Sequence, residues 1–138
     1  MVFPYVEEHQ IDIFLNKLNN NNSAEAKVYK GALFMFKSKY AVSPVNKYKH
    51  FKTGKNLIDE AVHLNPKNIE IRYIRLVFQH QLPDFLGYNK YKSEDLSVFK
   101  NEFTKSSLSK NTKAYFIKNM LLLDNLNNLD KKYLKALL

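Results

Sequence analysis

The sequence contains no cysteine, which excludes a disulfide scaffold, a thiolate nucleophile and any zinc or iron–sulfur site with cysteine ligands. Glycine and proline are scarce, with three and four residues, and alternating strand patterns bounded by turns are correspondingly rare. No apolar run approaches the roughly 18 residues of a membrane span. The start, residues 1–10, lacks the basic and apolar regions of a signal peptide. We therefore expect no transmembrane segment, and the localisation stays open with cytoplasmic as the default.

The composition that remains is that of one globular helical domain. The chain has 138 residues, of which 45% are hydrophobic and 25% charged, so it can bury a core. Apolar residues recur at helical spacing, and caps or prolines separate the segments. The predicted helices cover about 6–19, 24–40, 47–64, 69–81, 93–105, 111–123 and a last segment from 127. We expect a single all-α domain over 1–138, without strands, that ends in a helical pair at 107–138.

Two glycines, Gly31 and Gly54, lie inside the second and third predicted helices. Each costs about 1 kcal/mol relative to alanine in a helix interior. Such a glycine usually marks the close approach of another backbone. The pair therefore predicts an antiparallel helical hairpin in which glycine faces glycine at the crossing.

The residues around these glycines follow a known spacing. Gly54, Ile58, Ala61 and Pro66 are separated by 4, 3 and 5 positions, and this series resembles the second half of a tetratricopeptide repeat. Gly31 and Phe34 similarly resemble the glycine and the aromatic residue of its first helix. The resemblance implies a TPR-like core over 24–80, built from stacked antiparallel hairpins with a concave binding face.

A second resemblance rests on four segments, which are YKGA at 29–32, NPKNIEIRYIRL at 65–76, PDFLGY at 83–88 and an acidic helix start at 93–95. In these segments the chain resembles a family of uncharacterised all-helical proteins from Bacteroidota. The likeness spans about residues 25–105. It implies the all-helical fold and no particular activity, and members of that family often begin with an export signal.

Positive charge is concentrated in one part of the chain. The formal net charge is +9, and residues 26–58 contain eight lysines and no acidic residue. The candidate anion-binding residues are these lysines, Lys27, Lys30, Lys37, Lys39, Lys47, Lys49, Lys52 and Lys55. Such a cluster is typical of a face that binds nucleic acid or an acidic membrane surface. The alternative is a compositional bias toward lysine, and the absence of arginine from the cluster disfavours nucleic acid.

Arg72 and Arg75 are the only two arginines of the sequence. Their i, i+3 spacing places them near one face of the fourth predicted helix. One interpretation is a pair of guanidinium groups that bind an acidic partner. The alternative is internal pairing with Asp59, Glu60 or Glu70, which would hold the third and fourth helices together.

The loop that follows this helix contains the apolar segment 83–88. Exposed aromatic residues on loops are typical of partner-binding sites, and Phe85 and Tyr88 are the candidates here. The alternative is that Phe85 and Leu86 fill the core between the fourth and fifth helices.

Few residues suggest catalysis. Glu60 and His63 form one Glu-x-x-His pair, whereas a di-iron bundle needs two such pairs and further glutamates; an exposed acid beside a helix-terminal histidine is the simpler interpretation. We expect no catalytic, metal-ligating or cofactor-binding residues and no cofactor. The leading hypothesis is a non-catalytic interaction module that binds a protein or peptide. The alternatives are a polyanion-binding protein, an enzyme of unknown class, and a homo-oligomer formed through the second or the last helix.

Overall fold

The structure is a computed structural model that describes residues 5–138, so part of the segment considered for a signal peptide lies outside the described residues. Within that range the chain forms α-helices, one short 3-10 turn at Asp84–Leu86 and no strand. The helices are α1 (Glu8–Lys17), α2 (Ala24–Tyr40), α3 (Pro44–Leu64), α4 (Ile69–Gln81), α5 (Lys92–Glu102), α6 (Lys110–Leu121) and α7 (Asn128–Ala136). The predicted all-α fold is confirmed.

Backbone contacts divide the chain into two compact units. The first ends at Pro66, and the second is Lys67–Leu138. The single domain expected over 1–138 stays a prediction.

Side-chain caps explain why several helices begin where the sequence predicts. The Ser23 hydroxyl accepts a hydrogen bond from the Ala26 backbone N–H at 3.1 Å. The Asn68 side chain accepts from two backbone N–H groups, and Asn127 accepts from the Asp130 N–H at 2.8 Å. Each cap satisfies donors that have no partner inside their own helix. The predicted starts of α2, α4 and α7 are therefore confirmed to within a residue.

The start of α3 was predicted three residues too late. Pro44 is the first residue of α3 and Ser43 is its N-cap. The Ser43 hydroxyl accepts from the Asn46 N–H at 3.1 Å. Proline suits the first helical position because its missing N–H would have no partner there and its φ angle is already helical.

In the first unit, α2 contacts both α1 and α3. Gly31 and Gly54 meet at the α2–α3 crossing. A Cβ atom built on Gly54 would lie 2.7 Å from the Gly31 carbonyl oxygen, and one built on Gly31 would lie 2.8 Å from the Gly54 carbonyl oxygen. The two backbones are therefore in direct contact, and the predicted glycine-to-glycine crossing is confirmed.

In the second unit, α4 contacts α5 and α6, and α7 contacts α6. The rings of Tyr73 and Phe116 stack with centroids 4.4 Å apart. Burial raises the pKa of Tyr73 to about 12, and its hydroxyl accepts a hydrogen bond from the Asn119 side chain at 3.0 Å. Further fully buried side chains are Phe99, Ile117, Met120 and Leu134. This core holds α4 as the central helix of its unit.

Candidate binding sites

Arg72 and Arg75, predicted as residues that bind a partner, are buried in the second unit. Both pair with Asp95, whose side chain is 0% exposed in the first turn of α5. The Arg72 Nη1 and the Arg75 Nη2 each lie 2.8 Å from the Asp95 Oδ1. The Arg75 Nε donates to the other carboxylate oxygen at 2.8 Å. Arg75 therefore binds Asp95 through two parallel hydrogen bonds, the geometry in which a guanidinium holds a carboxylate most firmly.

Gln79 and Tyr91 complete this cluster. The Gln79 Nε2 donates to the Asp95 Oδ2 at 2.7 Å, and its Oε1 accepts from the Tyr91 backbone N–H at 2.7 Å. The Arg75 guanidinium carbon lies 4.2 Å from the centroid of the Tyr91 ring, a cation–π contact. Glu94, with 57% of its side chain exposed, adds a second carboxylate 3.2 Å from the Arg75 Nη2. We call Arg72, Arg75, Gln79, Asp95 and Glu94 the ionic cluster.

The ionic cluster corrects the interpretation of the two arginines. Their guanidinium groups are buried and bound to acids of their own unit, so they do not present a surface to an acidic partner. The alternative of internal pairing is therefore correct. The acids that bind the two arginines include Asp95 and Glu94 on α5, which were not among the partners suggested from the sequence. Asp95 could have been found from its spacing, because it precedes the buried Phe99 by one helical turn. It was interpreted only as an acid at a helix start.

Phe85 lies on the surface, at 87% exposure, on the 3-10 turn Asp84–Leu86. The turn is closed by backbone hydrogen bonds from the Leu86 N–H to the Pro83 carbonyl at 3.1 Å and from the Gly87 N–H to the Asp84 carbonyl at 2.9 Å. Gly87 follows with φ of +72°, a left-handed conformation that glycine adopts without strain.

Tyr88, the other aromatic candidate, is 2% exposed. The suggestion that Phe85 fills the core is thus wrong, and Tyr88 lies in the interior instead. The buried Tyr88 on one side and the end of α4 on the other fix the ends of the loop. Phe85 is the one residue of the four predicted partner-binding residues whose side chain is available at the surface.

The eight candidate anion-binding lysines do not form one continuous face in the first unit. Lys27 pairs with Glu60 at 3.1 Å, Lys37 with Asp12 at 3.5 Å and Lys55 with Asp59 at 3.4 Å. The Lys30 ammonium donates to the Asn21 backbone carbonyl at 2.8 Å. These four amino groups are held along the length of the hairpin by other groups of the chain.

The other four lysines, Lys39, Lys47, Lys49 and Lys52, are exposed at the end where α2 passes into α3. Val42 and Val45 at the same end are 95% and 78% exposed, and the Tyr48 side chain is exposed as well. We call these seven residues the hairpin tip. The structure thus brings half of the predicted lysines together with exposed apolar side chains.

A cavity of about 440 Å³ lies beside α1 and the hairpin, lined among others by Asp12, Lys37, Tyr40 and His50. Burial, together with the charges of Lys37 and Lys49, lowers the pKa of His50. A side-chain hydrogen bond with Tyr5 raises the pKa of Tyr40 to about 12. The Lys37–Asp12 pair and Glu8 line the same cavity.

Glu60 and His63 line a second cavity of about 500 Å³, together with Lys27 and Asp59. Glu60 is engaged by Lys27. Across residues 5–138, no group of three His, Asp or Glu side chains is arranged to hold a metal ion. Over the same residues, no helix has the length and apolar character needed to cross a membrane.

Comparison with known proteins identifies no relative of the chain. No protein-family model matches the chain, and no curated protein and no solved structure matches it.

Proposed function

We propose that the protein is a non-catalytic helical interaction module that binds a polypeptide, with Phe85 as the side chain that enters an apolar pocket of the partner. The observation that carries the proposal is the 87% exposure of Phe85 on a turn fixed at both ends. Aromatic side chains dominate the binding energy of many interfaces. A turn whose backbone is already fixed by hydrogen bonds loses little conformational entropy when it binds.

The experiment is an affinity purification from the host cell with the wild-type chain and with Phe85→Ala as bait. Leu122→Ala is the matched control, since Leu122 is 80% exposed in the same unit. The proposal expects one stoichiometric polypeptide with wild type and Leu122→Ala, and its loss with Phe85→Ala. Equal recovery with all three baits would contradict it, as would no partner at all together with turnover of a small-molecule substrate.

We further propose that the α2–α3 hairpin is TPR-like and that the chain belongs with the helical Bacteroidota proteins it resembles. The contact between Gly31 and Gly54 supports the first point, because small residues at a helix crossing let two backbones approach. A single hairpin of this kind offers a surface for a partner only if its outer side chains are available. The exposed residues at the hairpin tip meet that condition.

A second candidate function, polyanion binding, is favoured by the four exposed lysines of the hairpin tip. The proposed surface is smaller than the face predicted from Lys27 to Lys55, because Lys27, Lys37 and Lys55 are paired with acids and the Lys30 ammonium is bound to a carbonyl. An enzyme of unknown class is supported only by the cavity that contains Tyr40 and His50. Self-association is testable by light scattering of the purified chain.

A further inference from the structure

The hairpin tip includes the exposed start of α3. All six residues from Pro44 to Lys49 are exposed. Its backbone is nevertheless held to α2, since the Ser38 hydroxyl donates to the Lys47 carbonyl at 2.6 Å and the Lys47 ammonium donates to the Lys39 carbonyl at 3.0 Å. The tip is thus a fixed projection, and Val42 and Val45 point their methyl groups into water at an energetic cost.

Charge at the tip has one predominant sign. None of Lys39, Lys47, Lys49 and Lys52 forms an ion pair with another described residue, and α2 from Ala26 onward and α3 as far as Ile58 contain no acid. Two acids at the start of α1, the N-cap residue Glu7 and Glu8, act on Tyr40 at the end of α2. The tip therefore combines three exposed apolar side chains with four lysines and two neighbouring carboxylates.

We propose that the hairpin tip docks on the surface of an anionic lipid bilayer. Val42, Val45 and Tyr48 enter the boundary between headgroups and acyl chains, and the lysines contact the acidic headgroups. Exposed apolar side chains beside lysines bind anionic membrane surfaces, because the burial of apolar area and the electrostatic attraction to acidic headgroups both favour binding. Tyrosine is favoured at this boundary because its ring is apolar and its hydroxyl polar, and lysine stems extend along apolar surface while the ammonium stays in the polar layer.

The same features disfavour other acidic partners. Nucleic acid is recognised through stacking and through arginine forks, whereas two of the three apolar residues are valines and the tip has no arginine. An acidic polypeptide would have to provide a groove for the projecting valines, and a bilayer accepts them without a preformed pocket. The proposal is independent of the Phe85 function above, because it concerns residues of the other unit.

The sequence contains no tryptophan, so the fluorescence of one introduced tryptophan reports on its own position alone. Tyr48→Trp introduces a single fluorescent reporter at the tip, and Tyr133→Trp introduces one on α7 as the control. With vesicles of phosphatidylserine and phosphatidylcholine, we expect a blue shift of emission for Tyr48→Trp and none for Tyr133→Trp. Vesicles of phosphatidylcholine alone should give no shift, and added inorganic phosphate should not compete.

Charge is tested by vesicle flotation of Lys49→Glu/Lys52→Glu. Each lysine near an anionic surface changes the partition coefficient about fivefold, so this pair should weaken binding at least about 20-fold. The control Lys110→Glu/Lys118→Glu has the same net charge, lies on α6 and should weaken binding much less. A Val42→Ser/Val45→Ser variant, which keeps every charge, should also lose binding.

Three outcomes overturn the proposal. The first is no flotation of the wild-type chain with the anionic vesicles at low salt. The second is an equal loss for the tip and control charge variants, which would indicate attraction by net charge alone. The third is tight binding of a single-stranded oligonucleotide that requires the tip lysines, in the absence of any vesicle-dependent shift at Tyr48→Trp. Phe85→Ala should float with the vesicles like wild type. This result distinguishes a failure of the membrane-docking proposal from a failure of the proposed polypeptide binding.

Discussion

The α2–α3 and α4–α5 helix pairs, one in each unit, are held together by opposite means. At the α2–α3 crossing, two residues without side chains bring the backbones into contact, and the hydrophobic core continues on either side. Between α4 and α5, long charged side chains meet around the buried Asp95 carboxylate. The α2–α3 interface depends on two glycines that have no side chain, and the α4–α5 interface depends on the pairing of buried charges.

The difference determines what each interface tolerates. Every polar side-chain atom buried in the described part of the chain has a hydrogen-bond partner, so the ionic cluster is complete. A complete buried cluster contributes little net stability relative to apolar packing, yet it is costly to break, because the remaining charge stays buried without a counter-ion. A glycine crossing has no such charge, and its cost arises from steric overlap when a side chain is added.

The largest effect is expected for Asp95→Asn. The substitution keeps the shape of the side chain but removes the only fully buried carboxylate that Arg72 and Arg75 share, and it turns an amide NH₂ toward donors. We expect the free energy of unfolding to fall by about 3–5 kcal/mol, measured by urea denaturation with circular dichroism. Glu94→Gln is the matched control, since its carboxylate is largely exposed, and it should cost at most about 1 kcal/mol.

A compensated variant sharpens the comparison. In Arg72→Met/Arg75→Met/Asp95→Leu the three buried charges of the ionic cluster are replaced by apolar groups, while Gln79 still accepts from the Tyr91 N–H and donates to the backbone carbonyl of residue 75. Replacement of a whole buried ionic group is often neutral or stabilising, so this variant should be clearly more stable than Asp95→Asn. If it were the less stable of the two, the hydrogen bonds of the cluster would matter more than its charge balance.

The next effect is expected for Gly54→Ala. The new Cβ would lie 2.7 Å from a backbone oxygen of α2, so the helices have to separate. We expect a loss of about 1–3 kcal/mol in the free energy of unfolding, even though alanine is favoured over glycine by about 1 kcal/mol within a helix. Asn56→Ala, at an exposed position of the same helix, should change stability by less than about 0.5 kcal/mol. A Gly54→Ala protein as stable as that control would show that the close crossing is not required.

These two interfaces also differ in how far they could be predicted. The glycine crossing was predictable because a glycine inside a helical pattern is a local signal with a specific structural cause. Caps are local in the same way, and the starts of α2 and α4, which follow the N-caps Ser23 and Asn68, were predicted to within a residue. The pairing of Arg75 with Asp95 joins residues 20 positions apart, and helical periodicity alone does not select one acid among several.

The candidate sites were predicted less well than the fold, for a related reason. Phe85 and Tyr88 lie three residues apart in a loop where no periodicity indicates which side chain faces inward. Their opposite burial is set by the 3-10 turn and by the left-handed Gly87. At the hairpin tip, α3 was predicted to begin at about residue 47, which is three residues too late, so the exposure of Val42 and Val45 was not anticipated. Lysine clustering was visible, but which amino groups are engaged depends on acids elsewhere in the unit.

The smallest effect concerns pH and His80 in the second unit. The His80 Nδ1–H donates to the Asp124 backbone carbonyl at 3.1 Å. Burial, followed by the charge of Lys92, lowers the pKa of His80, although the bond to Asp124 opposes the shift. An unfolded histidine takes up a proton at about pH 6.5. Below that pH the unfolded chain therefore binds more protons at this position than the folded chain does, and the folded state loses stability as the pH falls.

His80→Asn isolates this contribution, because the asparagine amide can keep the hydrogen bond to the Asp124 carbonyl and does not titrate. We expect the free energy of unfolding of wild type to decline between about pH 7 and pH 5.5, and the decline to be shallower in His80→Asn. Urea denaturation at a series of pH values measures both slopes. An unchanged slope in His80→Asn would mean that burial does not disfavour the charged imidazole at this site.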